Sequence, residues 1–154
     1  MRIVKFTVDG PINEVSSLFN LKFDVPSEIN LDMSKASYIN SVGVKRWIAW
    51  MAEAAEGSRF HLHRCPFVII NQSVIVDGFL PTNGYLMSFF VPYHCKSCLA
   101  EESFLLERGV HFEYAEGGKR HVVNYPVRIT CPKCSLGMAP DFISEKTFKF
   151  LRRT

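Results

Sequence analysis

Four of the five cysteines occur in two closely spaced pairs, a spacing typical of a metal site. Two residues separate Cys95 from Cys98, two separate Cys131 from Cys134, and 32 residues lie between the pairs. Two intervening residues let both sulfurs of a pair face one ion, and four thiolates complete the tetrahedron that structural Zn²⁺ prefers. The sequence therefore predicts one structural zinc ion bound by these four cysteines, with no coordination position left for catalysis.

Four cysteines in two pairs also have uses other than zinc binding. An iron–sulfur cluster uses the same ligand set and remains an alternative. A redox-active pair needs one low-pKa thiol at the start of a helix, and two pairs argue against it. Disulfides are disfavoured in a cytoplasmic protein. We expect that location because the sequence shows no signal segment and no uncharged apolar run near the ~20 residues of a membrane span.

A second stretch, residues 31–57, combines a hydroxyl group with the start of a helix. Its pattern predicts a strand, a polar turn and an amphipathic helix that ends near Gly57, with an apolar face made of Val44, Trp47, Ile48, Met51, Ala52 and Ala55. Asn40 or Ser41 can cap this helix. Ser41 is then a cap, a partner contact or a phosphate acceptor at the positive helix end. Trp50 lies off the apolar face on the side of Arg46, so it packs within the chain or meets a partner.

The turn itself, Ile39-Asn40-Ser41-Val42-Gly43, resembles the signature of STAS domains of the anti-sigma-factor-antagonist type. In that family the turn reads Asp-Ser-Ser/Thr-Gly, a partner kinase phosphorylates its serine, and the following helix forms the partner-binding surface. Ser41 and Gly43 match by position, whereas Asn40 replaces the acidic residue and Val42 the second hydroxyl. The resemblance covers about residues 1–92. The second cysteine pair similarly resembles the Cys-Pro-X-Cys-Gly loop of zinc ribbons, with Ser135 in place of glycine.

These resemblances imply an α/β fold, with a STAS-like mixed sheet covered by helices in residues 1–92 and a zinc-ribbon module with a C-terminal helix in residues 93–154. They imply a regulatory protein-interaction module, in bacterial signalling, whose partner is a kinase or another signalling regulator. Ser41, Arg46 and Trp50 are the candidate phosphoacceptor or partner contacts. Periodicity alone does not separate helix from buried strand at residues 67–76, and the resemblance to STAS domains favours a helix there that ends near Asp77. The residue patterns predict a β-hairpin at residues 111–125. They also predict a terminal helix capped by Ser144, and strands at residues 1–8, 28–33, 59–65 and 84–93.

Composition limits the other function classes. A hydrophobic content of 47% indicates a folded chain, and a net charge of +3 does not indicate a nucleic-acid partner. The alternative is a nucleic-acid-binding zinc ribbon that uses Lys119, Arg120, Arg128 and Lys133, with Tyr93, Phe112 and Tyr125 as stacking residues. We find no nucleophile–base–acid arrangement and no phosphate loop, and we therefore expect no enzyme activity. We also expect no membrane insertion, and the sequence is compatible with a homo-oligomer.

Overall fold

The computed structural model describes residues 1–74 and 78–153, and it has a mixed α/β fold. In chain order the elements are β1 (Arg2–Ile12), β2 (Ser27–Ile39), α1 (Ser41–Ala52), β3 (Arg59–His63), α2 (Phe67–Ile69), β4 (Gly84–Leu86), β5 (Ser88–His94), β6 (Glu101–Glu107), β7 (Phe112–Glu113), β8 (Val122–Val123), β9 (Ile129–Thr130), β10 (Gly137–Pro140) and α3 (Ser144–Thr147). Short 3₁₀ helices lie at Ser17–Asn20 and Lys149–Leu151, and a π-helical segment, Ile70–Val74, continues α2. Within the described residues, no helix has both the length and the apolar character needed to cross a membrane.

The first sheet has the strand order β1-β2-β3-β4 and is parallel throughout. Because side chains alternate along a strand, its two faces differ in character. One row across the sheet is apolar and consists of Phe6, Leu31, Leu62 and Leu86, whereas the next row is polar and consists of Lys5, Asn30, His61 and Tyr85. The α/β class predicted from the sequence is confirmed. The resemblance implied a mixed sheet, but in this molecule the antiparallel pairs lie in the other sheets.

The second sheet has the order β6-β5-β10-β9, and its strand pairs are antiparallel. Strand β5 follows β4 after the single residue Met87, so one nearly continuous run of chain contributes to both sheets. Cys65, just beyond β3, bridges to Phe89 of β5 and so links the two sheets where β4 leads into β5. The predicted boundary between residues 92 and 93 falls inside β5, and the division into two domains stays a prediction. Strands β7 and β8 form a separate antiparallel hairpin, as the sequence predicted.

The buried face of α1 differs from the predicted one. Its buried residues are Gly43, Trp47, Trp50 and Met51, whereas the predicted stripe residues Val44 and Ile48 are only half-buried and Ala52 is exposed. The helix also ends at Ala52, before the predicted stop at Gly57. The physical reason is the segment between β1 and β2, whose buried aromatic residues pack on the Trp50 side of the helix.

Other predicted elements differ mainly at their ends. No single type of element is predicted for residues 17–20, which form a 3₁₀ helix. Strand β2 continues to Ile39, well past its predicted end. The terminal helix starts at Ser144, but Ile143 is its N-cap residue. The predicted helix at 67–76 is helical as far as Val74, and its predicted end at Asp77 lies outside the described residues.

Candidate functional site

The fold brings the four predicted zinc ligands together at the tips of two hairpins. Cys95 and Cys98 lie in the turn between β5 and β6, and Cys131 and Cys134 lie in the turn between β9 and β10. All four sulfur atoms lie within 4.8 Å of one another. The Sγ atoms of Cys95 and Cys134 are 3.5 Å apart, and those of Cys98 and Cys131 are 3.6 Å apart.

The two cysteine turns have the same backbone geometry. In the first turn the N–H of Leu99 donates to the carbonyl of Cys95, and the N–H of Cys95 donates to the carbonyl of Ala100, both at 2.9 Å. The second turn repeats both bonds around Cys131, at 2.9 and 2.7 Å. The residue after the second cysteine is left-handed in each turn, with φ of 64° at Leu99 and 66° at Ser135. This conformation explains why glycine is usual in such loops.

The turns also favour the thiolate form of their first cysteine. The backbone N–H of Cys98 donates to the Cys95 sulfur and is the main cause that lowers the pKa of Cys95 to about 6. The backbone N–H of Cys134 lowers the pKa of Cys131 in the same way. Because the thiolate is the metal-binding form, these N–H groups favour metal binding at Cys95 and Cys131. In the absence of an ion, burial and the neighbouring thiols raise the pKa of Cys98 and Cys134.

The geometry and the donor chemistry both fit a tetrahedral metal ion. With metal–sulfur bonds of about 2.3 Å, sulfur atoms at the corners of a tetrahedron lie about 3.8 Å apart, close to the two separations measured here. Four cysteine ligands would fill the coordination sphere, so an ion here would stabilise the two turns and would not activate a substrate. The four cysteines are therefore able to bind one metal ion, and zinc and iron both accept such a ligand set.

At the turn before α1, Asn40 and not Ser41 is the helix cap. The side-chain Oδ1 of Asn40 accepts a hydrogen bond of 2.7 Å from the N–H of Gly43, and its Nδ2 donates to Oε2 of Glu14 at 3.2 Å. Ser41 is the first residue of the helix and is exposed. The Ser41 hydroxyl is therefore accessible and is not used as the N-cap.

Arg46 lies near this turn but is held by contacts within the chain. Its guanidinium donates to the backbone carbonyl of Glu14 and lies 5.0 Å from the centroid of the Phe19 ring. The carboxyl group of Glu14 accepts hydrogen bonds from the backbone N–H of Glu14 itself and from the Asn40 side chain. Both hydrogen bonds lower the pKa of this carboxyl group. A negative charge thus already lies beside the positive end of α1.

Trp50 packs inside the chain, which is the intramolecular interpretation left open by the sequence. The side chain is only 4% exposed, and its Nε1 donates to the carbonyl of Leu21 at 2.9 Å. Its ring lies 5.3 Å from that of Phe60 and 5.8 Å from that of Phe23, measured between centroids. Trp50 is therefore buried in the fold rather than exposed beside Ser41, and this packing leaves little of its side chain for a partner to contact.

Sequence reasoning missed three exposed apolar residues around Ser41. Tyr38 is 46% exposed, Val42 is 44% exposed and Val15, next to Glu14, is 82% exposed. Two of the three lie within four residues of Ser41, so a search for apolar residues on the polar side of the predicted elements could have found them.

The stacking residues suggested for a nucleic-acid partner are not on the surface. Tyr93 and Phe112 are buried, at 0% and 2% exposure. Tyr125 is half-buried and stacks on Phe148, with ring centroids 5.6 Å apart and an interplanar angle of 6°. The observed packing therefore leaves the basic residues of the alternative hypothesis without their proposed aromatic partners.

No protein-family model matches the chain, and neither a curated protein nor a solved structure matches it. The resemblance to STAS domains therefore depends on the Ile39–Gly43 turn and on the order of the elements alone.

Proposed function

We propose that the chain is a non-catalytic protein-interaction module that contains one structural zinc ion. The observation that carries the interaction role is the turn before α1, where Tyr38 and Val42 expose large apolar side chains on either side of a turn fixed by the Asn40 cap. Apolar residues held on a rigid turn lose little conformational freedom on binding, which favours recognition of a protein partner. On the resemblance to STAS domains, that partner is a kinase or another regulator of bacterial signalling.

Ser41 lies at the centre of this surface, and its surroundings favour a contact role. The carboxylate of Glu14 already lies beside the start of α1, through its hydrogen bond to Asn40. A phosphate on Ser41 would add about −1.5 to −2 charge next to this carboxylate and would repel it. We therefore propose that the unmodified hydroxyl contacts the partner, and that phosphorylation by a kinase would weaken the contact.

Affinity capture with matched variants tests the surface. The bait proteins are the wild type, Val42→Lys, Ser41→Asp and, as control, Val122→Lys. The control replaces a valine of similar exposure, 53% against 44% for Val42, on the β7–β8 hairpin. We expect one protein from an extract of the source cells to be retained by the wild type and the control. Val42→Lys and Ser41→Asp should not retain this protein. When the capture is repeated with the purified partner, the same two variants should fail to bind it. If no captured protein distinguishes Val42→Lys from Val122→Lys, the surface is wrong.

Elemental analysis tests the metal separately from the partner. We expect about one zinc atom per folded chain. Iron in place of zinc, or folded protein without metal, would contradict the proposed zinc ribbon, and a positive result for zinc would leave the interaction surface to be judged by capture alone.

A further inference from the structure

The polar face of the first sheet contains an open groove of about 570 Å³. It lies across the three strands β1, β2 and β3, and its polar lining consists of Lys5, Thr7, Asn30, Asp32, His63 and Arg64. Helix α1 packs on the opposite face, where Trp50 contacts Phe60. The groove is therefore separate from the surface around Ser41, and its size falls within the range of small-molecule sites, about 300–1,000 Å³.

Arg64, at the end of β3, has an unusual backbone conformation. Its φ is 55°, in the left-handed region that glycine adopts most easily. The bend is required by the fold, because the N–H of Arg64 donates to Oγ of Ser88 at 2.8 Å and the next residue, Cys65, is fully buried. Glycine would satisfy that bend with less strain. Strained backbone positions cluster at ligand sites, and here the strained residue is a long cation beside a groove.

The groove offers two cations. Lys5 and Arg64 are both exposed, and no ion pair found among residues 1–74 and 78–153 involves either of them. The only carboxylate in the lining belongs to Asp32, so the permanent charges of the lining sum to +1. An anionic group that contacts both Lys5 and Arg64 would gain two charge-assisted hydrogen bonds.

Two hydrogen-bond acceptors lie beside these cations. Nε2 of His63 is 3.1 Å from Oδ1 of Asn30, and because an amide oxygen only accepts, Nε2 is assigned the hydrogen. In the neutral ring Nδ1 is then an acceptor. The carboxylate of Asp32 accepts from the N–H of Ser34 at 3.0 Å and also from the Ser34 hydroxyl. Because a carboxylate has about four acceptor positions, Asp32 can still accept a donor from a ligand. The groove therefore matches a ligand that joins an anion to hydroxyl donors.

We propose that this groove binds a sugar phosphate. The phosphate contacts Lys5 and Arg64, and the sugar hydroxyls donate to Asp32 and to Nδ1 of His63. Neither inorganic phosphate nor a free sugar satisfies both halves of the groove, so the two parts of the ligand together should bind more tightly than either part alone.

Isothermal titration with ribose 5-phosphate and glucose 6-phosphate, compared with ribose, glucose and inorganic phosphate, tests the proposal. The decisive variant is Arg64→Gly, with Arg59→Ala as a control that removes an exposed cation from the same strand outside the groove. We expect Arg64→Gly to melt at the same temperature as the wild type or higher, because the strain at φ of 55° is relieved. We expect its Kd for the sugar phosphate to rise about 10- to 100-fold, the loss expected for hydrogen bonds to a charged group. Arg59→Ala should bind as the wild type does.

Each other result overturns part of the inference. No binding of either sugar phosphate by the wild type, or equal binding by Arg64→Gly, would remove the site. Equal affinity for inorganic phosphate and for ribose 5-phosphate would remove the contacts to Asp32 and His63. A large drop in the melting temperature of Arg64→Gly would show that the bend, not the ligand, requires arginine.

Discussion

Replacement of Gly43 by alanine is the sharpest test of how the turn before α1 is built. A Cβ atom at this position would overlap the carbonyl oxygen of Ile12, and it would lie 2.8 Å from the carbonyl carbon of Ile12 and 3.1 Å from Cγ1 of Ile39. These are mostly backbone atoms of β1, which ends against the turn through the hydrogen bond of 3.2 Å from the N–H of Asn40 to the carbonyl of Ile12. The helix start must therefore move away from β1 to accommodate a methyl group.

The expected change in the free energy of unfolding is the sum of three contributions. Alanine is favoured over glycine inside a helix by about 1 kcal/mol. Overpacking against a fixed backbone costs about 1–3 kcal/mol. The shift would also weaken the Asn40–Ile12 bond and the Asn40 cap on residue 43, at about 1 kcal/mol each. We expect Gly43→Ala to lower the free energy of unfolding by about 2–4 kcal/mol.

Urea unfolding followed by tryptophan fluorescence measures this change well, because Trp47 and Trp50 are both buried on α1. With a slope of about 2 kcal/mol/M, the midpoint should fall by about 1–2 M. Ala49→Gly, an exposed position on the same helix, is the matched control and should cost only about 1 kcal/mol. If Gly43→Ala raises stability by about 1 kcal/mol, helix propensity alone governs the position and the close approach to Ile12 is not real.

Three further predictions concern the core, the metal site and pH. Trp50→Ala should lower the free energy of unfolding by about 3–5 kcal/mol in the same urea assay, because it leaves a cavity and frees the Leu21 carbonyl, whereas Trp50→Phe should cost less. Chelation of the metal, or Cys131→Ser, should release the ion and reduce the near-ultraviolet circular dichroism signal. Burial lowers the pKa of both His61 and His63, so the unfolded chain binds protons more readily and stability should fall as the pH drops below about 6.5. Thermal unfolding between pH 8 and pH 5 checks the pH effect, which should become smaller in the double variant His61→Gln/His63→Gln.

The four-cysteine cluster was predictable because the information that brings each pair of sulfur atoms together is local. Two residues between Cys95 and Cys98 fix how their sulfur atoms can point, whatever the rest of the chain does. The left-handed conformation of the residue after each cysteine pair is also a local feature. At Ser135 the sequence indicated it, because serine stands where zinc ribbons usually have glycine. It was not visible at Leu99, because leucine gives no sign of a positive φ.

The buried face of α1 and the groove depend on contacts that the sequence does not show. Trp50 is buried because Phe19 and Phe23 cover it, and both lie in a segment without helix or strand periodicity. In the sequence, Arg64 looks like an ordinary residue at the end of a strand. The bend at Arg64 becomes visible only in the structure, where its φ is 55° and the next residue, Cys65, is buried. Tertiary packing therefore decides which face of α1 is buried and where the chain bends after β3.

The metal site and the α/β sheet are physically connected through strand β5. The cysteine turn at Cys95 follows β5 directly, β4 leads into β5 from the first sheet, and Phe89 and Val91 of β5 are fully buried. The phenol group of Tyr114 closes the junction, since it accepts from the N–H of Leu86 at 2.6 Å and donates to the carbonyl of the same residue at 3.0 Å. A metal ion bound by Cys95 would order the end of β5, and the buried side chains of β5 connect both sheets. Loss of the ion should therefore loosen the edge of the first sheet at β4 before it disturbs the turn at Ser41, which lies on β2 and α1 and is held by β1.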